Sequence, residues 1–243
     1  MAESAVASEG AQVKERPRKK LYRARAHSNP LNDQSFDVPS TPDAVDWRSF
    51  YPNLKPNQRV EFLDVGCGFG GYLIKLATAF PDVVSLGMEI RDKVSEYVKD
   101  RIEALREEHA AEGRYQNVAI ARVNAQRDLA RFFRKGQLRK MFFLFPDPHF
   151  KACNHRRRII TGPLLDEYAY LIAPGGMLYT ITDVEALGVW MKDALAAHPL
   201  FEEVDDATLE GDVAAQFLPT ASEEAQKVAR NLGSTYRAVF RRI

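Results

Sequence analysis

From Val60 onward the apolar positions follow two alternating rhythms. Short runs of consecutive apolar and β-branched residues read as strands: Val60–Val65, Val83–Glu89, Val118–Arg122, Lys140–Phe145, Met177–Thr182 and Arg237–Arg242. Between them, apolar residues recur three or four apart. Tyr72–Phe80 puts Leu73, Leu76, Ala77 and Phe80 on one face, and Asp92–Glu108 does the same with Val94, Val98, Ile102 and Leu105. Val184–Ala197 carries a stripe of Val184, Leu187, Trp190, Met191 and Leu195. A short helix is expected around Asp128–Phe133, and Thr161–Leu171 reads as a helix stopped by Pro174-Gly175-Gly176. Strand alternating with helix predicts an α/β fold. Parallel strands need helical crossovers, and these cover both faces of the sheet.

The region before Val60 lacks that rhythm. Met1 to Gln12 is small and polar, and a basic arm follows it. From Arg25 to Trp47, prolines at positions 30, 39 and 42 exclude a long helix. The expected organisation is a disordered tail with a basic arm over residues 1–24 and one domain over 25–243.

Composition narrows the class. With 243 residues, 45% hydrophobic and 28% charged, the chain is able to bury one substantial core. The apolar run Met141–Pro146 is far too short to span a bilayer, and the N-terminus lacks the apolar core of a signal peptide, so a soluble intracellular protein is expected. Cys67 and Cys153 form neither a Cys-x-x-Cys nor a Cys/His pattern, and His149 and His155 lack a third ligand at matching spacing; the expectation is two packing cysteines and no metal. The net charge of +1 hides its distribution. Seven basic residues stand between Lys14 and Arg25 against Glu15, and a second cluster comprises Lys151, His155, Arg156, Arg157 and Arg158. Such clusters favour a polyanion, since each phosphate they neutralise releases counterions. The competing reading is a solvated tail and a charged helix face.

The turn after the first strand, Asp64-Val65-Gly66-Cys67-Gly68-Phe69-Gly70-Gly71, matches the G-x-G-x-x-G dinucleotide pattern, which alone is a weak signal. Asp64 discriminates. A carboxylate beside the turn repels a pyrophosphate but suits a ligand with an α-ammonium group and no phosphate, and S-adenosylmethionine is such a ligand. Glu89, ending the second strand, stands where an acid accepts hydrogen bonds from ribose hydroxyls; an acid exposed to water is the alternative. Asn124-Ala125 follows the third strand, where it would read adenine or simply make a turn. Asp147, within Phe145-Pro146-Asp147-Pro148, ends the fourth strand either as an acceptor-side carboxylate or as a helix N-cap. Of the nearby rings, one at the strand end or Phe150 is placed to stack on a base.

Arg25-Ala26-His27-Ser28-Asn29-Pro30, Leu86-Gly87-Met88-Glu89-Ile90-Arg91, the run from Gly136 to Ile160 and Tyr179-Thr180-Ile181-Thr182-Asp183-Val184 together resemble the eukaryotic tRNA guanine-N7 methyltransferases. That resemblance implies a class I methyltransferase fold, with a seven-stranded, mostly parallel sheet. It implies transfer of a methyl group from S-adenosylmethionine to N7 of the variable-loop guanine at tRNA position 46. It assigns Gly66, Gly68, Glu89, Ile90, Arg91, Asn124, Ala125 and Leu144 to the cofactor, and Asp147 to catalysis. Ser222 and Glu224 stand in for the family's late Thr-x-Glu element, with serine replacing threonine. Lys151, His155, Arg156 and Arg157 are the expected RNA contacts, Arg158 joining them on the flanking phosphates. The family further implies a nuclear protein paired with a noncatalytic WD-repeat β-propeller subunit. Because N7 carries a lone pair and no proton, Asp147 is expected to position guanine through its N1 and N2 donors rather than to act as a base. Two rivals remain: an NAD-dependent oxidoreductase, for which no hydride-relay constellation is found, and a noncatalytic RNA-binding subunit, which would not need Gly66, Glu89 and Asp147 together.

Overall fold

The structure is a computed structural model that describes residues 15–24, 28–32 and 36–243. The tail expected to be disordered over Met1 to Gln12, together with Lys14 and Arg25-Ala26-His27, lies outside the described residues.

The strands are β1 (Val60–Val65), β2 (Val84–Glu89), β3 (Val118–Arg122), β4 (Leu138–Leu144), β5 (Ile172–Thr182), β6 (Phe201–Glu203) and β7 (Tyr236–Arg242). They form one sheet in the order β3-β2-β1-β4-β5-β7-β6. The pairs from β3 through to β5 are parallel, whereas β7 runs antiparallel to both β5 and β6. From β1 the chain winds outward through β2 and β3, then returns to start β4 against the other side of β1. This reversal opens a crevice at the carboxyl ends of β1 and β4, which is where open α/β sheets hold ligands.

Alternation along the strands feeds a core on each face. Leu63, Met141, Phe143 and Leu178 pack on one side against Leu165 and Tyr168 of helix Gly162–Leu171 and Leu187 and Met191 of helix Glu185–Ala196. On the opposite side Phe62, Phe142, Tyr179 and Val239 meet Tyr72 and Leu76 of helix Gly71–Ala79. Phe142 is fully buried, stacked on Tyr179 at 4.6 Å and meeting Tyr72 edge-on at 5.1 Å. Truncating such a ring typically costs about 3–5 kcal/mol, so the strand ends that carry the site are firmly held. Near the β7 side, Tyr179 Oη donates to Asp212 Oδ2 at 2.5 Å and Lys140 Nζ lies 2.6 Å from the same oxygen. The other oxygen of Asp212 caps the short helix Val213–Phe217 by accepting from Ala214 N and Ala215 N.

Two expectations are corrected. Pro174-Gly175-Gly176 does not lie outside a strand. β5 starts at Ile172 and runs through it as an irregularity between the pairs Leu138↔Ile172 and Lys140↔Met177. Gly175 takes φ of 80°, and a Cβ on Gly176 would strike Ile172 Cγ2 at 2.7 Å, so both glycines are required for the bulge. Secondly, the three-residue β6, with one apolar residue in Phe201, and the helices between Asp206 and Arg230 were not foreseen.

Residues of the basic arm make contacts with the domain. Both Nε and Nη2 of Arg16 donate to Glu108 at 2.8 Å, Lys19 Nζ reaches Glu223 at 3.0 Å, and Tyr22 Oη donates to Asp100 at 2.5 Å with its ring on Tyr97. The arm is drawn down by acids remote from it in sequence. Local charge counting does not see them.

Candidate active site

β1 ends in Asp64-Val65 and turns through the glycines into helix Gly71–Ala79. Gly66, Gly68 and Gly70 have φ of 71°, 54° and 76°, the left-handed region that only glycine enters at little cost. A Cβ on Gly66 would meet nothing within 4 Å, so the backbone angle rather than crowding demands glycine there. Gly71 is different, because its Cβ would lie 2.6 Å from Glu223 Oε2. That oxygen accepts from Gly71 N at 3.0 Å, and Oε1 of the same residue accepts from Lys19 at 3.0 Å and Arg101 at 3.1 Å. Glu223 therefore clamps the turn. Sequence reasoning passed over it in favour of its neighbours, and nothing local marks it.

The turn borders a cavity of about 690 Å³. Every residue assigned above to the donor lines it, from Gly66, Gly68, Glu89, Ile90 and Arg91 through Asn124, Ala125 and Leu144 to Ser222 and Glu224. Asp147 lines it too.

Asp64 lies on the cavity wall only 1% exposed, and neither carboxyl oxygen has a hydrogen-bond partner among the described residues. Burial, then the nearby Glu223 and Glu89, pushes its pKa up to about 8. A buried, unpaired carboxyl is costly unless something binds it. An ammonium group would supply its missing partner, whereas a pyrophosphate would add negative charge to a wall that already carries Asp64, Glu89 and Glu223. With Val123, Ile90 and Leu144 offering apolar surface for a flat base, S-adenosylmethionine fits these residues.

Glu89 is buried, not the solvated acid of the alternative reading; it accepts from Gly68 N at 3.2 Å and from Arg91. Asn124 acts as a turn residue while lining the cavity. Its Oδ1 caps helix Ala125–Asp128 by accepting from Gln126 N at 3.1 Å, and its Nδ2 donates to Pro30 O at 2.6 Å, which ties the N-terminal segment to the rim. Ser222 caps helix Glu223–Arg230 through Ala225 N at 3.0 Å, and the largely exposed Glu224 lies 3.5 Å from Lys227, which also lines the cavity.

On the acceptor side, Asp147 follows β4 in an irregular segment, with no helix for it to cap. Phe145 and His149 flank it with φ of 51° and 47°, left-handed angles that strain residues bearing a Cβ. Phe145 N donates to Ile181 O at 2.7 Å, which pins the first of these turns to β5. Phe150 projects its ring at the cavity mouth, 76% exposed.

The second basic cluster divides. Arg157 lines the main cavity, and with Lys151 it also lines an adjoining cavity of about 760 Å³. His155 and Arg156 line neither, and the His155 ring packs against Trp190 at 5.3 Å. Arg158 is buried, with Nε donating to Pro148 O at 3.0 Å and its guanidinium 4.6 Å over the Trp190 ring. Those contacts tie it to the acceptor loop. Cys153 is exposed, contrary to its expected packing role, while Cys67 packs against the helices beside the turn. Among the described residues no metal-binding cluster occurs and no helix is long and apolar enough to cross a membrane.

A family model described as a putative methyltransferase matches residues 58–238. A protein of Arabidopsis thaliana named tRNA (guanine-N(7)-)-methyltransferase is 56% identical over 232 residues, covering 93% of this chain and 92% of its own. One of the same name from Brugia malayi is 52% identical and covers 97% of this chain and 90% of its own. Among solved structures, the 16S rRNA methyltransferase KamB superposes with a TM-score of 0.52 at 14% identity, covering 79% of this chain and 93% of that one. That likeness speaks for the fold alone.

Proposed function

The chain belongs to the tRNA (guanine-N7)-methyltransferase family, and from that premise we propose that it transfers the methyl group of S-adenosylmethionine to N7 of a guanine in tRNA, the variable-loop guanine at position 46. The observation that carries this reading is the meeting, in one cavity, of a buried unpaired carboxyl, a strand-end acid and a strand-end Asp147 at the mouth.

When bound, the donor supplies an electrophilic methyl on a sulfonium; the N7–C bond forms as the C–S bond breaks, and the positive charge passes to guanine. The residues around it bind and orient. Asp64 meets the ammonium, Glu89 the ribose hydroxyls, and the Gly66–Gly70 turn lets the main chain approach closely. Asp147 has no proton to remove, because N7 has none. Its carboxylate accepts from guanine N1 and N2 and stabilises the charge that appears on the base. Pro146 and Pro148 keep the carboxylate where guanine must be held for an in-line approach. Lys151 and Arg157 hold flanking phosphates, which orient the nucleotide without reading it.

The test is incubation of the chain with isotopically labelled S-adenosylmethionine and tRNA, followed by mapping of the modified base. Label at guanine N7 in the variable loop is expected; label elsewhere, or none with intact donor binding, rejects the assignment. The family resemblance also supports a nuclear protein working with a WD-repeat β-propeller subunit, for which co-purification from nuclear extract is the check.

A further inference from the structure

Glu89 is saturated. Its Oε1 accepts from Arg91 N at 2.9 Å and Arg91 Nε at 3.0 Å, and its Oε2 from Gly68 N at 3.2 Å and Arg91 Nη2 at 2.9 Å. A carboxylate offers about four acceptor positions, and at 3% exposure this one has no solvent side to spare. Two ribose hydroxyls cannot bind until two donors leave. The two main-chain donors are fixed by the turn and by the start of helix Asp92–Glu108, so the Arg91 guanidinium is the group that yields.

Where it goes follows from its position. Arg91 stands on the wall between the two cavities and lines both. The second is lined by the cations Arg23, Arg91, Lys93, Arg122, Lys151 and Arg157 against the acids Asp92 and Asp147. Arg157 lines both cavities, and its Nε is buried without a hydrogen-bond partner among the described residues. Asp147 belongs to both cavities, so whatever fills the second lies beside the guanine held in the first.

We propose that the second cavity binds an RNA phosphodiester next to the target guanine, and that Arg91 joins this site only when the methyl donor has taken its place on Glu89. Donor and RNA then bind with positive coupling through one side chain. The proposal rests on the functional reading above and adds to it an order of assembly: the loaded enzyme is the form that grips RNA.

The experiment measures tRNA affinity of the full chain over a range of salt, with and without S-adenosylhomocysteine. That analogue lacks the sulfonium charge, so a steeper salt dependence comes from the protein's own cations. The expected result is a tRNA Kd lowered about tenfold by the analogue and a log–log salt slope steeper by about 0.7 to 0.9, the signature of one additional phosphate contact. By linkage, saturating tRNA should tighten analogue binding by the same factor. Because Arg91 also lines the donor cavity, Arg91→Gln is read at saturating analogue whatever its own analogue affinity: tRNA Kd and salt slope should no longer respond to the analogue, and Arg91→Lys should restore part of the response. Equal slopes with and without the analogue in a wild-type chain that binds both ligands would overturn the proposal, as would a slope change that persists in Arg91→Gln. If Arg91→Gln loses analogue binding through misfolding, the wild-type slopes alone decide. A chain that binds neither ligand overturns the functional reading, and this proposal with it.

Discussion

The two ends of the crevice are built by different means. At the donor end, fixed main chain does most of the shaping: three left-handed glycines, the Gly68 and Gly71 amides held by Glu89 and Glu223, and an Asn124 cap. At the acceptor end the groups are side chains on an irregular segment, with Asp147 between two strained residues, the exposed Phe150, and Lys151 on the surface. A cofactor that is the same at every turnover suits a rigid socket. A nucleotide arriving within a large RNA suits adjustable side chains.

Substitutions should separate the two ends. Asp147→Asn is expected to have the largest effect, lowering single-turnover rate about 10²- to 10³-fold with donor affinity unchanged, since the amide presents donors where guanine also donates and cannot offset the developing charge. The wild-type rate should be flat from about pH 6 to 9 when chemistry limits; a rise with pH that vanishes in Asp147→Asn would instead mark proton transfer. Glu89→Ala comes next. Losing hydrogen bonds to a charged acceptor should weaken donor binding by about 1.5–3 kcal/mol, with tRNA affinity not reduced. Calorimetry showing unchanged donor affinity would remove Glu89 from the socket.

Lys151→Ala should weaken tRNA binding several-fold and flatten its salt slope by roughly one, leaving donor affinity alone. Arg156→Ala, at a residue outside both cavities, serves as the contrast. The last contrast concerns stability, not binding or rate. Folded Asp64 holds its proton up to about pH 8, whereas an unfolded aspartate releases it near 4. The folded state thus binds more protons throughout that window, so ligand-free stability falls as pH rises from about 4 to 8 and levels off above. Asp64→Asn should abolish this component and raise Tm at pH 8, by about 2–4 °C per kcal/mol recovered, while weakening donor binding. Parallel Tm profiles for the two proteins would show that Asp64 is ionised and paired.

The same contrast explains what was legible in the sequence. β1, its glycine turn and Glu89 are local: a β-rich run, a forced φ and a strand end declare themselves within a few residues. Asp64 was readable as a discriminator because its chemistry opposes phosphate wherever it sits. Glu223 was not, because its partners Gly71, Arg101 and Lys19 come from three distant segments. Arg158 and Arg157 are identical letters side by side, and only the place of Trp190 decides that one is buried against a ring. The helices at Asp206–Leu209 and Val213–Phe217 are four and five residues long, too short for a 3.6-residue period to register.

The position of β7 bears on how the molecule is assembled. β7 lies between β5 and β6, and among the described residues the only partner of β6 in the sheet is β7. During synthesis the five parallel strands are able to pair as they emerge, but β6 has nowhere to dock until residues 236–242 have left the ribosome. The helix that begins at Glu223 is carried on this late segment, so the clamp on Gly71 is set only after the rest of the donor socket exists. A nascent chain stalled before β7 would hold the glycine turn, Glu89 and Asp147 on a sheet with β5 still an open edge. That edge offers unpaired main-chain groups to any neighbouring strand, and the interval before β7 emerges is therefore one in which the chain is exposed to aggregation.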